Sequence, residues 1–86
     1  MKTRDLKENI WKKYTYQVRW SAEDQEYVGL CVEMQGLSYL SETFYGAMNG
    51  IIRVTKEAVE WLCEDGIDLP PPIDWDKTIL VPKETK

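Results

Sequence analysis

Residues 43–65, TFYGAMNGIIRVTKEAVEWLCED, decide the fold. Along this stretch Phe44, Ala47, Ile51, Val54, Ala58 and Trp61 with Leu62 recur at intervals of three and four, the spacing of one side of an α-helix. Asn49, Arg53, Lys56, Glu57, Glu60 and Glu64 fall on the opposite side, so one face can be buried while the other stays wet. Thr43 supplies a side-chain oxygen to cap the first turn, and Gly66 can take the left-handed conformation that ends the last one. Pro70, Pro71 and Pro72 forbid continuation, since each lacks a backbone donor and has a fixed φ. A lone helix with such a stripe is marginal in water, so a flat apolar surface must cover it. Gly46 and Gly50 lie in its first half, where each costs roughly 1 kcal/mol relative to alanine. Close approach of the helix to its cover explains them better than a ligand-cradling loop, which would place the glycines before the helix.

The cover is legible upstream. Tyr14, Tyr16, Val18 and Trp20 alternate with Thr15, Gln17 and Arg19 as in a half-buried strand. The polar stretch 21–25 reverses the chain into a second strand over 26–32, and residues 37–40 suffice for a short third strand after Gly36. Residues 75–81 read as a fourth strand closed by Pro82. The expected fold is therefore α+β: a three-stranded antiparallel sheet packed against one long helix, with a C-terminal fourth strand. The charge-rich residues 1–13 form an N-terminal extension, 14–82 one domain and 83–86 a tail.

Eighty-six residues suit one small domain, which buries only roughly 60–65% of its unfolded surface and gains from oligomerisation. Fifteen acidic against eleven basic residues argue against a nucleic-acid surface and favour a basic partner. Apolar runs are too short for a bilayer, and the basic start is not followed by the core of a signal peptide, so a cytoplasmic location is expected.

Little in the chain points to bond-breaking. Histidine is absent, which removes the commonest general base and the usual zinc ligand; Cys31 and Cys63 stand apart and read as small buried thiols. Glu23, Asp24, Glu26 and Glu33 are the acidic residues nearest the sheet. Metal-assisted phosphodiester hydrolysis needs several carboxylates converging on one point, whereas charge in a hairpin turn commonly serves solvation. No catalytic residue, metal or cofactor is expected. The tyrosines of the strands lack the basic groove that base-stacking surfaces carry, and read as core and subunit contacts.

YTYQVRWSAEDQEYVGLCVEMQGLSYLSET, a helix with an early alanine (Ala47), and then EDGIDLPPP together resemble the HicB-like antitoxin family over residues 14–72. The resemblance implies a partial RNase H-like fold without catalytic activity. It also implies a toxin–antitoxin pair, in which the chain binds and neutralises a small basic RNA-cleaving toxin of the HicA type, and assembly into dimers or higher oligomers. Gln25 stands where the family pattern often has glycine, and Met34-Gln35 where phenylalanine-proline or leucine-proline is more usual. The branch usually continues into a ribbon-helix-helix DNA-binding module whose opening strand residues 75–82 resemble. Only four residues follow Pro82, so direct DNA binding is not expected.

For partner contact the residues of choice are Glu33, Met34, Gln35, Leu37 and Tyr39, in a turn and short strand whose groups are free to meet another chain. Against that, Leu37 and Tyr39 have the alternative of closing the domain's own core. For self-association the choice falls on Ile79 and Val81, since an unpaired edge strand templates its symmetric copy. The alternative to an antitoxin is a self-associating structural module with no toxin partner.

Overall fold

A computed structural model describes residues 9–73. Three strands, β1 (Tyr16–Ser21), β2 (Glu26–Cys31) and β3 (Ser38–Ser41), form an antiparallel sheet in the order β1-β2-β3, and one helix, α1 (Phe44–Glu64), packs on one face. The expected fourth strand, with Ile79 and Val81, lies outside the described residues. A 3-10 turn at Ile10–Lys13 precedes β1, and its Ile10 and Trp11 pack against the core.

The helix ends are where local chemistry puts them. Thr43 accepts a hydrogen bond from the Gly46 amide at 2.9 Å. At the other end the Gly66 amide donates to the Cys63 carbonyl and the Ile67 amide to the Leu62 carbonyl, with Gly66 at φ 71°; this pair of bonds is a Schellman motif.

Register assigns the sheet's two faces. Tyr16 pairs with Cys31, Val18 with Gly29 and Trp20 with Tyr27; β2 continues the rows through Gly29 to Tyr39 and Tyr27 to Ser41, and these residues face α1. The helix crosses β2 at Gly29. A Cβ there would meet the Ala47 carbonyl oxygen at 2.5 Å and Ile51 at 2.9 Å, so only glycine allows this approach. Gly50 lies against the Tyr39 ring in the same way, as the expected close packing requires.

The buried face of α1 differs from the expected stripe. Ala47, Ile51, Thr55 and Val59, four apart, are fully buried together with Gly50. Phe44 remains 46% exposed and Trp61 71%, while Val54, Ala58 and Leu62 are only half-buried. The physical reason is a mismatch of lengths. A 21-residue helix is about 31 Å long and a six-residue strand about 20 Å, so α1 overhangs the sheet. In its second half the cover comes from Tyr14, the 3-10 turn and Leu69, which turns the buried side toward Thr55 and Val59.

Two long-range hydrogen bonds and one local one close the domain below the sheet. Tyr14 donates its hydroxyl to the Pro70 carbonyl at 2.8 Å, and Tyr16 donates to the Trp11 carbonyl at 2.6 Å. Glu33 receives the Ile73 amide at 3.0 Å. The proline segment is thereby tied back onto the sheet rather than projecting as a spacer. Burial pushes the Tyr14 phenol up to about 12, with the neighbouring Cys31, Glu33 and Cys63 adding to the shift. Tyr16 and Cys31 are raised for the same leading reason.

Candidate functional site

The overhang of α1 leaves an apolar opening beside its second half. After β2 the chain turns tightly, with the Met34 amide donating to the Cys31 carbonyl and the Leu37 amide to the Met34 carbonyl. Met34 and Leu37 are thereby held opposite Val54, Ala58, Trp61 and Leu62, with Glu57 at the rim, around an open cleft of about 430 Å³. Among the described residues no strand fills the gap, and β3 begins only at Ser38. The Trp61 indole, a large amphipathic group that is costly to leave in water, stands at its mouth.

Charge is distributed unevenly about this cleft. From Glu57 to Asp65 the helix carries Glu57, Glu60, Glu64 and Asp65 with no lysine or arginine. Lys56 leans away, its Nζ 5.6 Å from the Trp11 ring centroid, which Lys12 also approaches at 5.5 Å. The cleft is therefore apolar except for Glu57 at its rim, on the acidic C-terminal half of α1.

The five residues expected to meet a partner are dispersed. Met34 and Leu37 come together in the cleft. Gln35 is exposed on the turn and borders a smaller dent on the opposite sheet face with Gln17, Leu30 and Val32. Tyr39 faces α1 beside Gly50, with the Arg53 guanidinium 5.4 Å from its ring centroid and donating to its hydroxyl at 3.4 Å. Glu33 holds the scaffold: Oε1 accepts from the Thr15 amide at 2.7 Å, and Oε2 from the Thr15 hydroxyl at 3.2 Å and the Ile73 amide at 3.0 Å.

Val54, Ala58, Trp61 and Leu62 read as core from the sequence and Glu57 as wet surface, yet all five line the cleft. The available signal was the length of the helix against the brevity of the third strand. The carboxylates weighed for metal chemistry do not converge. Glu23 and Asp24 occupy the exposed β1–β2 turn, where Asp24 accepts from the Ser21 hydroxyl at 3.0 Å, and Glu33 lies beyond the far end of β2. Among the described residues no group of three potential ligands is placed to hold a metal ion, and no helix is long and apolar enough to cross a membrane.

Compared with known proteins, the chain matches no family model, no curated protein and no solved structure.

Proposed function

We propose that this chain is a non-catalytic binding domain of the HicB-like antitoxin type, which neutralises a small basic RNA-cleaving toxin of the HicA type by covering it. One observation carries the reading: an indole 71% exposed beside an apolar cleft of about 430 Å³, left open by the domain's own helix. Interfaces of high affinity concentrate their energy in such aromatic anchors and pockets. The acidic C-terminal half of α1 adds a preference for a basic partner and speeds its encounter. Further support is the order of motifs, in which the tyrosine-bearing strands and the helix with early Ala47 fall on the antiparallel sheet and its covering helix.

The test is co-expression with a small basic HicA-type toxin, sought first in the reading frames flanking the one that encodes this chain. A complex that survives purification and dissociates as salt is raised supports the proposal; independent elution of the two at low salt refutes it. A second reading, assembly of like copies, is favoured by the sheet face away from α1, where Val28, Leu30 and Leu40 form an aliphatic patch that no described element covers. Light scattering over a range of concentrations tests it, and a monomer throughout refutes it.

A further inference from the structure

At the end of the sheet remote from the cleft, four rings stand in line. Trp20 on β1 meets Tyr27 on β2 edge-to-face with centroids 5.1 Å apart; Tyr27 meets Phe44 at 6.0 Å, and Phe44 meets Tyr45 at 5.9 Å. Three of them are poorly covered, with Trp20 52% exposed, Phe44 46% and Tyr45 76%. Each edge-to-face contact occupies one ring face, and the 46–76% exposure of Trp20, Phe44 and Tyr45 leaves much of their aromatic surface open to solvent.

On the sheet face that carries the rings the nearby charge is acidic; Arg19, next to Trp20 in β1, pairs with Val28 on the opposite face. From Trp20 to Ile52 the sequence holds Glu23, Asp24, Glu26, Glu33 and Glu42 and no lysine or arginine. Glu23 and Asp24 in the β1–β2 turn and Glu42 just before α1 lie at the aromatic end, whereas Glu26 shares the opposite sheet face with Arg19. The N-terminus of α1 contributes roughly half a positive charge there, which three carboxylates outweigh. Phosphate is repelled by this arrangement. Exposed rings beside uncompensated carboxylates suit a guanidinium, which stacks on aromatic faces and pairs with carboxylates at the same time.

We propose that the Trp20–Tyr27–Phe44–Tyr45 surface docks an arginine-bearing segment of a protein partner. This surface is separate from the Trp61 cleft and does not depend on the toxin reading. A domain with no toxin still presents it, and a toxin held at the cleft need not touch it.

The experiment is an NMR titration of the full chain with a blocked peptide, acetyl-Gly-Arg-Gly-Arg-Gly-amide, alongside versions with lysine or glutamine replacing arginine. Ring resonances of Trp20, Phe44 and Tyr45 are expected to shift saturably with the arginine peptide, more weakly with lysine and not with glutamine, and added salt should weaken the response. Trp20→Ala should reduce affinity about 3- to 5-fold, the worth of one exposed cation–π contact. The double variant Glu23→Gln/Glu42→Gln should reduce both affinity and its salt dependence, with unchanged circular dichroism for each variant. No saturable ring shift up to about 10 mM peptide overturns the proposal. So does equal response to the glutamine peptide, or a ring shift that follows protein concentration instead of peptide, which identifies a second copy as the occupant. Trp61 and toxin co-purification report on the other surface, so either proposal can fail while the other stands.

Discussion

Replacing Glu33 by glutamine probes the joint that closes the domain. The carboxylate has two oxygens facing two backbone donors, Thr15 N–H at 2.7 Å and Ile73 N–H at 3.0 Å, and the Thr15 hydroxyl at 3.2 Å shares the second oxygen. Glutamine offers one acceptor. Whichever way its amide is turned, the NH₂ group confronts a backbone N–H, so one charge-assisted bond is lost and a donor is left facing a donor. A hydrogen bond to a charged acceptor contributes about 1.5–3 kcal/mol, and partial solvent access favours the lower part of that range. A loss of about 2 kcal/mol corresponds to a fall of roughly 8–16 °C in Tm for a domain of this size. Urea and thermal unfolding at neutral pH measure it, with Glu60→Gln on the exposed side of α1 as the control for lost charge, where less than about 0.5 kcal/mol is expected. Hydrogen exchange adds a local readout, because the Thr15 and Ile73 amides should lose protection first. Equal stability of the two variants, with unchanged protection at Thr15 and Ile73, refutes the joint.

Three further outcomes are expected. Thr55 is fully buried and its hydroxyl sits close to the Tyr16 hydroxyl and the Cys31 thiol without a well-formed hydrogen bond to either, so Thr55→Val should cost less than about 1 kcal/mol in urea unfolding, and a larger loss contradicts this. Gln25 holds φ at 56°, the left-handed region, and Gln25→Gly should stabilise the hairpin by up to about 1 kcal/mol even though the side-chain bond to the Ala22 carbonyl at 2.7 Å is lost; a drop in Tm contradicts this. Tyr14 favours its neutral form in the fold, so its contribution is complete below the unfolded value near 10 and is lost as pH rises toward 12, on the order of 2–3 kcal/mol in all. Stability measured across pH 9–12 should therefore fall, and fall less steeply in Tyr14→Phe.

What the sequence disclosed is local chemistry. Thr43 and Gly66 announce the ends of α1 because a cap and a left-handed turn are decided within three or four residues. The alternation of Tyr16, Val18 and Trp20 gave the sheet face correctly, since period two is a property of the strand itself. The side of α1 that is buried was not legible in the same way. Apolar periodicity marks an arc of the helix, and which part of it is covered depends on partners elsewhere: Thr55 and Val59 are buried by Tyr14, Leu69 and the first turn, while Val54, Ala58 and Trp61 look onto a gap. Glu33 is a similar case. Its partner Ile73 is forty residues away, and no local pattern separates a carboxylate that ties two segments together from one that awaits another protein. Gln25 lies between these extremes: its backbone is left-handed at φ 56° in a local turn, although glutamine itself gives no sign of it.

The surplus of apolar surface on α1 is the feature on which the functional reading rests, and Trp61→Ser tests it most directly when stability and toxin affinity are measured on the same protein. Loss of a residue 71% exposed should change unfolding free energy by less than about 1 kcal/mol, while loss of an interface anchor should weaken the proposed complex with a basic toxin by about 30-fold or more. A stability loss of about 3–5 kcal/mol with affinity unchanged would instead make Trp61 part of the core and close the cleft as a binding surface.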